Sequence, residues 1–164
     1  MEQANPNTKR IYTIGHSNHT TEAFAALLGK YGVTMVVDVR SAPYSKFAPQ
    51  FNKDDLQRLL AAEQIRYRYS GRELGGMPKD ESLHSASGKP DYDKIAATPE
   101  FQSELNDVVD LAGKEEIAIM CSEGDPMACH REKLIARVLR QWGVEVLHIA
   151  PDGEIRIQEQ GSLF

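Results

Sequence analysis

The chain is poor in cysteine, has a single tryptophan, contains no long apolar run and carries no excess of basic residues. Each shortage excludes something. Two cysteines in 164 residues cannot build a disulfide framework, so they read as reactive, metal-binding or packed thiols. No stretch approaches the ~20 consecutive apolar residues of a membrane-spanning helix, and no membrane partner is expected. The net charge of -5 argues against coating nucleic acid or an anionic membrane through the overall field, although a local basic patch remains compatible with it. Residues 1–10 are polar and lack the apolar stretch of a signal peptide, which sets the expectation of a cytoplasmic protein.

What is present is an alternation of short β-branched runs with helical periodicity, in a length that suits one domain. The expectation is a disordered tail over 1–9 and a single three-layer α/β domain over 10–164. Its sheet should be mainly parallel and flanked by helices, with an antiparallel edge strand at the C-terminal end. Strands are predicted over 11–15, 33–40, 65–69, 117–121 and 144–149, and a last one over 154–158 after the turn Pro151-Asp152-Gly153. Helices should start at Thr20, at Asn52 with Asp55 three residues on, at Thr98-Pro99-Glu100 and at Asp125-Pro126. Gly32, Gly113 and Trp142-Gly143 should end three of them. Between them, 70–91 is long, polar and rich in Gly and Pro, the composition of a lid or an unstructured segment.

Polar residues interrupt the pattern at the same end of each strand. His16 and Ser17 follow the first, Asp38 and Arg40 the second, Arg72 and Glu73 the third, and Cys121 and Glu123 the fourth. In an open parallel sheet these ends lie side by side, and ligands bind in the crevice outside them. Loops are polar in any case, which covers Ser17, but Asp38 and Arg40 break into an apolar run. The stretch from Cys121 to Arg131 holds both cysteines, Glu123, His130 and Arg131, between a strand and a helical pattern. At about 100° per residue Arg131 falls on the buried stripe of Leu134, Ile135, Val138, Leu139 and Trp142. A guanidinium there must meet an internal partner, with Asp38 or Glu123 as candidates, or a bound phosphate or carboxylate.

Three chemistries fit this set. Cys121 or Cys129 could attack an electrophile with His130 or His16 as base, Cys129 being favoured by a helix start and Cys121 fitting equally a buried, inert thiol. Arg40, Arg72 and Arg131 could hold a phosphate. Zinc or iron could bind Cys121, Glu123, Cys129, His130 and His16, but the spacing matches no common zinc signature, so no cofactor is expected. The loop lacks the Gly-Lys-Ser/Thr ending of a P-loop. It is similar only in layout to the Cys-to-Arg loop of cysteine-dependent phosphatases and rhodanese-like transferases, with a longer intervening segment. Tyr44, Lys46, Phe47 and Phe51 could stack on nucleobases, or simply pin their loop to the body. Arg66, Tyr67 and Arg68 read as a solvated strand face, and His84 and His148 have no local partners.

Thr13-Ile14-Gly15-His16-Ser17, Asp38-Val39-Arg40, Pro43-Tyr44-Ser45, Pro49-Gln50-Phe51, Leu74-Gly75-Gly76, Cys121-Ser122-Glu123 and Cys129-His130-Arg131 together resemble the domain-of-unknown-function 488 family, over nearly the whole chain. The resemblance implies a single α/β domain and a site at these positions, and it supplies no reaction. From the residues, the leading expectation is a cysteine-dependent hydrolase or transferase acting on a phosphate-bearing substrate, a nucleotide or nucleic acid. Its catalytic residues would be Cys121, Glu123, Cys129, His130 and His16, with Ser17, Asp38, Arg40, Tyr44, Arg72, Glu73 and Arg131 binding the substrate. A nucleotide- or nucleic-acid-binding module without turnover and a metal-dependent or redox protein are the alternatives.

Overall fold

Six short runs of apolar, aromatic and charged residues form six strands of one sheet in a computed structural model that describes residues 8–125 and 129–157. In chain order these are β1 (Arg10–Gly15), β2 (Met35–Asp38), β3 (Arg66–Tyr69), β4 (Ile117–Cys121), β5 (Glu145–Ile149) and β6 (Ile155–Arg156). The spatial order is β3-β2-β4-β1-β5-β6, parallel except for the antiparallel β5-β6 pair. The protein is therefore an α/β fold with a mostly parallel sheet and an antiparallel edge.

Side chains alternate across the sheet with the two-residue period of a strand, and this sorts the core into two layers. Tyr12, Ile14, Val36, Ala118 and Met120 face α1 (Thr21–Lys30) and α2 (Lys53–Ala62), meeting Phe24, Leu28, Leu56 and Leu60. Ile11, Val37, Ile117, Ile119 and Cys121 face the other helices. These are α3 (Gly71–Leu74), α4 (Tyr92–Ala96), α5 (Pro99–Leu111) and the last helix, which begins as a π-helical turn over Arg131–Ala136 and continues as α6 (Arg137–Gln141).

The caps explain most of the boundaries. Thr20 Oγ1 accepts the Ala23 N–H at 3.0 Å, Thr98 Oγ1 accepts that of Phe101 at 3.2 Å with Pro99 at the first helical position, and Gly32 ends α1 with φ +67. Asn52 precedes α2, but its side chain makes no cap bond to that helix. Its Oδ1 takes the Ser45 N–H at 2.7 Å and closes the preceding loop instead. Trp142, expected on the buried stripe, is 40% exposed, because the helix ends at Gln141 and Trp142 is its C-cap.

The polar stretch 70–91 is more ordered than its composition suggested. It contains α3, a 3-10 turn over Glu81–Leu83, and a bridge between His84 and Pro90. The His84 ring sits 2.9 Å from the Pro78 carbonyl and 3.1 Å from that of Gly88, so a histidine expected to have no local partner instead pins this loop through acceptors six and four residues away. The Asp125-Pro126 helix start falls partly on 126–128, outside the described residues, as do residues 1–7 of the expected tail and Gln158 of the expected last strand. Lys9, placed in the tail by sequence, donates to the Val109 carbonyl at 3.1 Å.

Candidate active site

β1 and β4 are neighbours, yet the chain leaving β1 crosses toward β2 and the chain leaving β4 crosses toward β5. The two connections part, and a crevice opens at the C-terminal ends of these strands. The loop after β4 lies over it. His16 N–H donates to the Cys121 carbonyl and Ser17 N–H to the Ser122 carbonyl, each at 2.9 Å. Gly15 permits this approach, since a Cβ there would stand 1.7 Å from the Glu123 carbonyl oxygen.

Arg131 is fully buried. Its Nη1 donates to Thr13 Oγ1 at 3.0 Å, and its Nη2 donates to the carbonyls of Glu123 at 2.7 Å and Gly124 at 3.2 Å. Its Nε has no partner among the described residues. Three neutral oxygens thus receive the guanidinium for which sequence offered a carboxylate or a bound anion, and they lock the cysteine loop to the helix start and to β1.

Behind Thr13 runs a buried relay. The Thr13 hydroxyl is 2.6 Å from His148 Nδ1, His148 Nε2 is 2.9 Å from Glu132 Oε1, and Arg140 grips both Glu132 oxygens at 2.6 Å. Burial raises the Glu132 pKa, but hydrogen bonds from Arg140 and His148 outweigh it and hold the carboxyl at about 2. Sequence reasoning left His148 without a role because its partners are 135 and 16 residues away. The available signal was a histidine at an inner position of an otherwise apolar strand.

The two thiols meet in the α5/α6 layer. Cys121 Sγ and Cys129 Sγ are 3.0 Å apart, Cys121 buried and Cys129 half-buried. Cys129 Sγ also accepts the Arg131 backbone N–H at 3.2 Å, and His130 Nδ1 lies 3.8 Å away. His130 Nε2 is 3.1 Å from the Val39 carbonyl, to which it donates, so Nδ1 is the ring atom turned toward sulfur. Gly76 lets this ring pack closely, because a Cβ there would come within 2.9 Å of the His130 ring. The hydrogen bond from Cys121 leads the causes that bring the Cys129 pKa down to about 4, burial opposing it and His130 and the Arg131 N–H adding to it. Burial, joined by the hydrogen bond to Cys129, pushes the Cys121 thiol up. Of the two, Cys129 is thus the more acidic sulfur and Cys121 the less acidic one.

The sulfurs open onto a cleft of about 390 Å³ whose walls include Arg40, Ser41, Met77, Tyr92, Ser122, Glu123 and His130. Arg40 and Asp38 form a buried bidentate pair at 2.9 and 2.8 Å, and Tyr67 donates to Asp38 at 2.7 Å. The Asp38 charge is thus met from two sides. Arg72 and Glu73 line an adjoining cavity of about 520 Å³ that shares Ser41 and Met77 with the cleft. Tyr44 is exposed on the loop after β2. His16 lies on the other layer. Its ring stacks on Phe51 at 4.9 Å, its Nδ1 is 2.9 Å from the Ser17 carbonyl, and burial holds its pKa down. Glu123 contributes carbonyl contacts to Arg131 and, at 3.5 Å, to the Cys121 thiol. The structure thus gathers Cys121, Glu123, Cys129, His130 and Arg40 around one cleft, sets Arg131 and Ser17 behind its loop, and puts Arg72 and Glu73 next door. Among the described residues no group of three or more His, Cys, Asp or Glu side chains is arranged to hold a metal ion.

Residues 20–139 match the protein family described as domain of unknown function DUF488. The chain belongs to that family. No curated protein and no solved structure matches it. The DUF488 match contains Asp38, Arg40, both thiols, His130 and Arg131, whereas Thr13, His16 and His148 lie outside it. No helix among the described residues is long and apolar enough to cross a membrane.

Proposed function

We propose that this DUF488 protein is an enzyme whose nucleophile is the Cys129 thiolate, acting on an electrophilic centre held in the 390 Å³ cleft. The observation that carries this is the convergence on one half-buried sulfur of the Cys121 thiol at 3.0 Å, the Arg131 N–H at 3.2 Å and the His130 ring at 3.8 Å. His130 Nδ1, the ring atom turned toward the sulfur, is the group placed to take the Cys129 proton. The Arg131 N–H at the helix start adds positive potential at this sulfur, while the buried Arg131 guanidinium acts on the neighbouring Cys121.

The phosphate-bearing substrate expected from Arg40, Arg72 and Arg131 has weaker support than the thiol chemistry. The first is paired with Asp38, the third donates to protein oxygens, and the second faces the adjoining cavity. Hydrolysis or group transfer through a covalent Cys129 adduct requires neither a free cation nor a metal.

Alkylation tests the reading. Iodoacetamide added to the reduced protein should modify Cys129 first, as located by peptide mass spectrometry, with a rate that rises through about pH 4 and is level above it. Equal labelling of the two cysteines, or labelling that begins only near pH 8–9 as for an ordinary thiol, would refute it.

A further inference from the structure

Building on the Cys129 nucleophile, we propose that Cys121 is its resolving thiol, so that the pair is a dithiol couple that reduces a low-molecular-weight disulfide bound in the cleft. The geometry is asymmetric in the way such a couple requires. The attacking sulfur is half-buried at the cleft, while its partner, at the end of β4, lines the same cleft but is only 2% exposed. Their separation of 3.0 Å exceeds the length of a disulfide bond by only about 1 Å, so closure needs little movement. The cleft, of about 390 Å³, gives space to a small substrate R–S–S–R′, and the 520 Å³ cavity that shares Ser41 and Met77 with it lies beside.

The electrons balance without a further reagent in the reductive half. The Cys129 thiolate attacks one sulfur of R–S–S–R′, the Cys129–S–S–R bond forms, and R′S⁻ leaves. Cys121 then attacks Cys129 Sγ, the Cys121–Cys129 disulfide forms, and R–S⁻ departs with the Cys121 proton as RSH. The protein has lost two electrons and the substrate has gained them. A small-molecule or protein dithiol, attacking Cys129 in the reverse sense, restores the reduced pair.

The order of events is built into the charges. In the reduced state burial keeps the Cys121 thiol protonated, and the hydrogen bond to Cys129 and the charge of that thiolate add to the effect, with Arg131 alone among the nearby charges favouring ionisation. Once Cys129 carries an adduct, its charge and its accepted hydrogen bond vanish while Arg131 stays. Cys121 becomes easier to ionise only after the first step.

Bis(2-hydroxyethyl) disulfide and mass spectrometry of the quenched protein test this. The wild-type chain should lose both thiols and two hydrogens with no lasting adduct, C121S and C121A should each accumulate the hydroxyethyl adduct on Cys129, and C129S should lose thiol more slowly by over about tenfold. A stable adduct on the wild-type chain would overturn the resolving role and leave the Cys129 nucleophile standing. Failure of C121S and C121A to form the adduct, with Cys129 also unreactive toward iodoacetamide, would overturn both.

Discussion

At Asp38 a carboxylate sits fully buried between Arg40 and Tyr67, and its removal leaves a guanidinium in the same interior with no anion. Breaking one side of a buried pair costs about 3–5 kcal/mol, so D38A should lower the unfolding free energy by that amount in urea titrations. Phe47 gives the opposite case. It is 99% exposed, and F47S should change stability by less than about 0.5 kcal/mol in the same titration. A larger loss would mean that this ring pins its loop, the packing role offered for it on sequence alone. Which polar residues matter was partly legible here: charges inside an apolar run pointed to Asp38 and Arg40, and the Cys121–Arg131 stretch was singled out by its residue types. Their pairing was not legible, because two arginines and two carboxylates allow several partnerships, and only the register of β2 against β3 brings Tyr67 to Asp38.

Among the elements, the π-helical turn and β5 hold the relay that ends at Thr13. The Glu132 carboxyl has a folded pKa of about 2 against an ordinary 4.5, so it contributes stability above the ordinary value that is lost as pH falls toward 2. The difference corresponds to about 3 kcal/mol at neutral pH. E132Q should therefore be destabilised by about that much at pH 7, and its stability should fall less steeply than that of the wild-type chain between about pH 5 and 2, as followed by urea unfolding at each pH. Helix starts at Thr20 and Thr98 were legible because a single hydroxyl determines each. Asn52 misled because an amide competes equally well for a neighbouring loop, and Trp142 because a helical wheel continues past the residue where the helix stops. The π turn has no sequence signature of its own. It also buries Glu132 beside Arg131, a placement that an α-helical projection does not give.

For the whole molecule, the crossing pattern decides more than any side chain. The central position of β4 and β1, each with a strand on both sides, makes their amide protons the last to exchange. Native-state hydrogen exchange should rank them slowest and the two-residue β6 fastest, and early exchange across β1 would contradict the strand order. The α/β class was readable from alternating periodicities, but the order β3-β2-β4-β1-β5-β6 was not, since nothing local states which strands become neighbours. That order brings the His16 and Cys121 ends together, and the same alternation of faces then sends the His16 ring to Phe51 and the thiols to the opposite layer.

Arg131 has one more consequence. A cation sealed among carbonyl and hydroxyl oxygens, out of reach of dissolved ions, behaves as a permanent bias on the sulfur chemistry beside it. Ionic strength should hardly alter it, so raising salt from dilute buffer to molar concentration ought to leave its pull on the Cys121 thiol in place, whereas a surface arrangement of the same charges would be erased.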